Sequence, residues 1–66
     1  MTTDDIKDLI REFKKARNFP PERWELEGKL CEKFGKVFEE EVLEKLEMLI
    51  KVNEVYINKF GQYDLV

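Results

Sequence analysis

The side chains that could do chemistry in this chain are mainly carboxylates, and they concentrate in one short stretch. Five glutamates there face only two lysines: Glu39, Glu40, Glu41, Glu44, Glu47, Lys45 and Lys51. Acid–base catalysis at neutral pH most often uses histidine, and the chain has neither histidine nor serine. It also has no glycine-rich phosphate-binding loop. We therefore expect no enzyme: no catalytic residue, no cofactor and no metal.

The acidic stretch has two interpretations that the sequence leaves open. Carboxylates in the first turn of a helix interact favourably with the unpaired backbone N–H groups there. Glu44 and Glu47 lie too far along the chain for that effect. With Glu40, they form either a solvated helix face or an acidic docking surface for a basic partner. Either surface would repel a phosphate backbone, because lysine and arginine supply most of the affinity for nucleic acids.

A second group of candidate residues is cationic and would suit phosphates. Its members are Arg11, Lys14, Lys15 and Arg17, joined by Lys59 near the carboxyl terminus. Spacings of three and four residues place the first three on neighbouring turns of a helix. The competing interpretation is a solvated helix end, where cations interact favourably with the helix dipole. If the group binds nucleic acid, we expect phosphate contacts that weaken steeply with salt.

Length and charge narrow the class of protein further. With 66 residues and a formal net charge of −3, the chain is expected to form one domain, residues 1–66, without a deep ligand pocket. The single Cys31 excludes an internal disulfide and a zinc site. The amino terminus is acidic and no long apolar run occurs, so we expect no secretory leader and no membrane span. The expected location is intracellular, in the cytoplasm.

Apolar residues recur at helical spacing in the first half of the chain. The stripe from Ile6 to Phe13 predicts a helix over Thr3–Arg17. Asn18 tolerates the left-handed conformation that ends a helix, and the prolines after it cannot continue one. We expect Pro21 in the first turn of a second helix, which Gly35 then ends.

Three residues of the second helix can face either the core or the outside. We predict Trp24, Cys31 and Phe34 on its apolar side, as core residues. The alternatives are a partly exposed Trp24 that serves a partner, and a reactive Cys31 thiol beside Lys33 or Lys36. Gly28 lowers helix stability by roughly 1 kcal/mol relative to alanine, so we expect close packing against a neighbouring helix there.

A third helix follows, with a stripe that runs from Val42 to Ile50. Met48 falls off this stripe and is expected at the surface. Asn53 lies just past the helix end, where a left-handed residue is favoured. Before the helix, the apolar pair Val37–Phe38 is either a minimal strand or a hydrophobic staple.

The chain ends in a predicted hairpin. Val55–Ile57 and Tyr63–Leu65 each alternate with the period of a half-buried strand, and Asn58–Gly61 supplies the turn, in which Gly61 can adopt a positive φ. Three helices followed by a two-stranded wing predict an α+β winged helix. Tyr56 and Phe60 are its candidate contact aromatics. Phe60 either folds back onto a neighbouring tyrosine or stands exposed as an anchor of the kind that is enriched at interfaces.

Residues 39–66 resemble the winged-helix domain at the carboxyl end of archaeal minichromosome-maintenance (MCM) replicative helicases. The residues that carry the resemblance are the helix face, the helix stop and the two wing strands: Leu43, Leu46, Leu49, Ile50, Asn53, Glu54-Val55-Tyr56, Gly61, Tyr63, Leu65 and Val66. Asn53 stands where that family usually has glycine, and the turn NKFG lacks the proline common in its wings. The resemblance implies a regulatory, non-catalytic domain with little or no sequence-specific DNA binding.

The leading hypothesis is therefore a protein-docking module of a replication helicase, with a replication initiator or the helicase body as partner. Its expected contact residues are Glu40, Glu44, Glu47, Tyr56 and Phe60. The alternative is a small DNA-binding transcriptional regulator that uses the basic group on the first helix and the wing. A third hypothesis is a homodimer that forms through Phe60, Trp24 or Met48.

Overall fold

The three helices and the hairpin occur in the predicted order. The structure, a computed structural model, describes all residues from Met1 to Val66. Its elements are α1 (Thr3–Arg17), α2 (Arg23–Phe34), α3 (Glu39–Lys51), β1 (Val55–Ile57) and β2 (Tyr63–Leu65). The prediction of an α+β winged-helix layout is confirmed.

Local sequence sets both ends of α1. The amide of Asp5 donates to the Thr2 hydroxyl at 3.3 Å, and the amide of Thr2 donates to the Asp5 carboxylate at 2.7 Å, which makes a capping box. At the other end Asn18 adopts a φ of 64°, and its amide donates to the Lys14 carbonyl at 2.7 Å. The predicted bounds Thr3–Arg17 are therefore confirmed.

The second helix begins later than predicted. Glu22 occupies the N-cap position, and its amide donates to Glu25 Oε1 at 2.9 Å. The prediction that Pro21 lies in the first helical turn is wrong. Pro21 is buried ahead of the helix, and its carbonyl accepts a hydrogen bond from the Tyr63 amide at 2.8 Å. A carbonyl inside the helix would point along the helix axis and could not reach the wing. Gly35, with a φ of 80°, follows the last helical residue as predicted.

Nine buried apolar side chains form one core between the helices and the wing. They are Ile6, Leu9, Ile10, Leu26, Leu30, Val42, Leu46, Leu49 and Val55. Val37 packs against this cluster from outside, while Phe38 is exposed and no strand forms there, which favours the staple interpretation. α1 packs against α2, α3 and β2, whereas α3 packs against α1 and β1.

The wing is a two-stranded antiparallel sheet in which Tyr56 lies opposite Asp64. Asn53, with a φ of 61°, reverses the chain between α3 and β1, and Gly61, with a φ of 76°, lies in the turn between the strands. Both left-handed positions were predicted.

The burial of α3 follows its apolar stripe. Leu43 is only partly buried and Ile50 is 37% exposed because both lie at the edge of the stripe, and Met48 is exposed as predicted.

The outer side of α2 departs from the predictions. Trp24 is 66% exposed, and Cys31 and Phe34 are exposed as well, so the prediction that they face the core is wrong. The reason is geometric: Trp24 lies two residues before Leu26, which turns it by roughly 200° from the buried stripe. Gly28 has no atom within 4 Å of where a Cβ would stand, so close packing at Gly28 is also wrong.

Candidate protein-docking surface

The outer face of α3 carries three exposed carboxylates. Glu40, Glu44 and Glu47 follow one another at spacings of four and three residues, which aligns them on one side of the helix. That side lies opposite the buried stripe of Val42 and Leu46, because positions two residues apart on a helix point in nearly opposite directions. We call these three glutamates the acidic face.

The acidic face makes no ion pair within the fold. None of its three carboxylates takes part in an ion pair, although the protein contains eight such pairs. By contrast Glu39, which begins α3, pairs with Arg23 at 3.2 Å. Removing the charge of an unpaired, solvated carboxylate breaks no contact within the fold. The acidic face is therefore free to meet charges from outside.

The basic group on α1 is in the opposite situation. Lys14 Nζ lies 2.8 Å from Asp64 of β2, and Arg11 lies 2.7 Å from Asp8. Arg17 pairs with Glu25 of α2. Of the predicted nucleic-acid residues, only Lys15 and Lys59 are outside ion pairs. The structure therefore does not bring these cations together as a free basic strip.

Arg17 is built into the turn between α1 and α2. Its guanidinium binds the Glu25 carboxylate through both terminal nitrogens and donates to the Pro20 carbonyl at 3.2 Å. The same group stacks between two rings, 4.7 Å from the centre of Phe13 and 4.1 Å from that of Phe19. The hydrogen bond from Arg17 holds the pKa of Glu25 below its ordinary value, against the effect of desolvation. Arg17 thus has a structural role.

Lys14, Asp64 and Tyr56 join α1 to the wing. Burial raises the pKa of Asp64, but hydrogen bonds from Lys14, the Leu65 amide and Tyr56 outweigh it, so that the pKa lies below its ordinary value. The Tyr56 hydroxyl donates to Asp64 at 3.4 Å, across the strand pair. Tyr56, a predicted contact residue, is therefore exposed along its ring but tied at its hydroxyl.

The wing tip presents Phe60 on a well-fixed turn. Asn58 Oδ1 accepts hydrogen bonds from the amides of Phe60 at 2.9 Å and Gln62 at 3.0 Å, and the Asn58 carbonyl accepts from Gly61 at 3.0 Å. Phe60 is 69% exposed, and the Lys59 ammonium lies 5.2 Å from its ring centre. Of the two predicted positions for Phe60, the exposed one is therefore observed.

Sequence reasoning missed a trough between α1 and α2. Its lining includes Leu9, Phe13 and Ala16 of α1, and the depression, which is open to solvent, has a volume of about 690 Å³. A smaller depression continues it past Gly28 to Trp24. The spacing of Trp24, Gly28 and Cys31, four and then three residues, was the sequence signal that these three share an outward face.

Neither a metal site nor a membrane-spanning helix is found in the structure. No three acidic or cysteine side chains come together in an arrangement that could hold a metal ion. None of the helices combines the length and apolar composition that crossing a membrane requires.

Comparison with known proteins found no relative of this chain. No protein-family model, no curated protein and no solved structure matches the chain.

Proposed function

We propose that this protein is a non-catalytic protein-docking module whose acidic face binds a basic segment of a partner protein. One observation carries the proposal. Glu40, Glu44 and Glu47 are exposed and have no ion-pair partner, whereas Arg11, Lys14 and Arg17 of the basic group are already paired within the fold. Complementary charge across an interface speeds association and excludes wrong partners.

The position of the acidic face argues against DNA as the partner. In DNA-binding proteins of the helix-turn-helix type, the recognition helix enters the major groove. In this chain α3 would be that helix, and its outward side is negative. Phosphates would repel these carboxylates at short range. Carboxylates also release no counterions from a phosphate backbone, so the main source of affinity for nucleic acids would be missing. A basic protein segment meets no such barrier.

The resemblance of residues 39–66 to the carboxyl-terminal domain of MCM helicases suggests the biological setting. In that setting the module is a regulatory domain of a DNA replication helicase, and the helicase body or a replication initiator supplies the basic segment. This context rests on the sequence resemblance alone.

Titration calorimetry with a lysine- and arginine-rich peptide tests the docking function. We expect salt-dependent binding that the double variant Glu44→Gln, Glu47→Gln weakens by about tenfold, because two charge–charge contacts are lost. The matched control is Glu12→Gln, Glu32→Gln, which removes the same charge from α1 and α2 and should change the affinity little. Equal losses in both variants would mean that net charge, not the acidic face, attracts the peptide.

The helicase setting has a separate test. The module is added in trans to an archaeal MCM helicase that lacks its own carboxyl-terminal domain, and ATP hydrolysis is measured. We expect a change in the rate that the Glu44→Gln, Glu47→Gln variant fails to produce. No change with the unmodified module would count against the helicase setting while leaving protein docking itself intact.

A further inference from the structure

The two outer edges of the wing differ in whether their backbone groups have hydrogen-bond partners. Along β2, the Tyr63 amide points away from β1 and donates to the Pro21 carbonyl at 2.8 Å. The Leu65 amide donates to the carboxylate of its neighbour Asp64 at 2.8 Å. Both outward amides of β2 are therefore satisfied within the fold.

The outer edge of β1 is open at Ile57. Ile57 lies opposite Tyr63 in the ladder. Because the Tyr63 amide bonds outward, this is a non-hydrogen-bonded pair, and in an antiparallel sheet both members of such a pair point their amides and carbonyls away from each other. The next pair along confirms the alternation, since the Asn58 amide donates to the Gln62 carbonyl at 2.9 Å. Ile57 thus presents one donor and one acceptor to the outside.

No hydrogen bond within the fold satisfies this edge at Ile57. The residue is 52% exposed, and neither its amide nor its carbonyl has a side-chain or loop partner. An outward-facing pair of this kind is a template for one more strand. The chemistry that satisfies it is the backbone of an extended segment, which forms two hydrogen bonds with a single residue of β1.

The open edge belongs to the strand that packs against α3. β1 contacts α3, whereas β2 contacts α1. An added strand projects alternate side chains towards the helices and away from them.

We propose that β1 accepts an extended, basic segment of a partner protein as a third strand, paired through Ile57 and attracted by the acidic face. This inference rests on the proposed docking function and specifies the conformation of the bound segment. The net charge of −3 and the unpaired glutamates favour a cationic occupant over a second copy of the chain, which would carry the same net charge.

Amide hydrogen exchange on the whole chain tests the proposal, with an octapeptide of alternating lysine and valine as the probe. In the free protein the Ile57 amide should exchange rapidly, since it lacks a partner. Bound peptide should slow it by about tenfold or more, while the Tyr63 amide, already bonded to Pro21, changes little. An octapeptide of alternating lysine and proline carries the same charge but lacks half of the amide donors, and it should bind more weakly.

The variant Ile57→Pro removes the outward amide without removing a ladder hydrogen bond, because edge positions with an outward N–H tolerate proline. We expect it to weaken binding of the lysine–valine peptide by about tenfold, against a small effect of Ile57→Val. Peptide binding that leaves Ile57 exchange unchanged would overturn the added strand. Protection of Ile57 that rises with protein concentration alone would overturn the choice of occupant in favour of a second copy.

The outcomes separate this inference from the proposed function. If Glu44→Gln, Glu47→Gln weakens the binding of basic peptides but Ile57 stays unprotected, docking on the acidic face stands and strand addition fails. If no basic peptide binds at all, both fail.

Discussion

Arg17 is the side chain on which the junction between α1 and α2 depends most. It closes α1, binds Glu25 on α2 and lies between the rings of Phe13 and Phe19. An arginine can do this because its planar guanidinium offers several donors in one plane and stacks on aromatic faces. Lysine has the same charge but neither property.

At Arg17, the change to lysine should therefore be costly. We expect Arg17→Lys to lower the free energy of unfolding by about 1–2 kcal/mol, since it loses the two-pronged contact with Glu25 and the ring stacking. Arg11→Lys is the control: its pair with Asp8 is exposed, and the change should stay within about 0.5 kcal/mol. Urea denaturation followed by circular dichroism measures both. Equal effects would show that the guanidinium geometry at Arg17 is unimportant.

Acid should destabilise the protein through Glu25 and Asp64. The pKa of each carboxyl group is lower in the folded chain than its ordinary value of 4.5 or 3.8. A carboxyl group of this kind stabilises the fold at all pH values above its unfolded pKa, and the stabilisation is lost as pH falls through the lower, folded pKa. Stability should therefore hold at neutral pH and decline below about 4.5.

The variants Glu25→Gln and Asp64→Asn check this origin. Each should be less stable than the parent at neutral pH and should lose less stability on acidification, because the titrating group is gone. The measurement is the urea midpoint as a function of pH. If the variant that combines both substitutions loses stability on acidification as steeply as the parent, the pH dependence belongs to other carboxylates.

Among the elements, α2 shows best what the sequence could and could not specify. Caps and left-handed residues are local signals, so the ends of α1, the position of Asn53 and the wing turn were predictable. The inward side of α2 was not, because apolar residues lie on both of its sides and only the packing of Leu26 and Leu30 decides between them.

The glycine within α2 and the glycine that ends it should respond oppositely to substitution by alanine. Gly28 is exposed within the helix and has open space around it, so Gly28→Ala should raise the free energy of unfolding by about 0.5–1 kcal/mol. Gly35 has a φ of 80°, and Gly35→Ala should lower it by about 1–2 kcal/mol. Thermal denaturation compares the two. A destabilised Gly28→Ala would mean that the outer side of α2 needs a residue without a Cβ.

The candidate site was predictable only in part. The three glutamates of the acidic face follow from helical spacing alone, and their exposure agrees with it. The ion pairs that occupy the basic residues do not follow, because Lys14 and Asp64, like Arg17 and Glu25, meet only after distant elements pack. The difference between the two wing edges does not follow either, because the outer edge of β2 is closed by a hydrogen bond between Pro21 and Tyr63 that no sequence pattern indicates.

At the scale of the whole molecule, charge distribution separates protein docking from the DNA-binding alternative. Lys15 and Lys59 are the members of the basic group that lie outside ion pairs, so DNA binding through that group would have to rely on them. We expect fluorescence anisotropy at near-physiological salt to find only weak binding to duplex DNA. Lys15→Glu with Lys59→Glu should then change it little. Tight binding that this double variant abolishes would instead support the small DNA-binding regulator.

The hydrogen bond between the Tyr63 amide and the Pro21 carbonyl also bears on how the chain folds. It joins the first interhelical turn to the final strand, so the hairpin cannot gain its outer partner until that turn has formed. Closing so long a loop carries an entropic penalty that short-range contacts do not. The helices should consequently assemble early and the wing should settle last, which leaves the amino-terminal helices to guide the ordering of the carboxyl terminus.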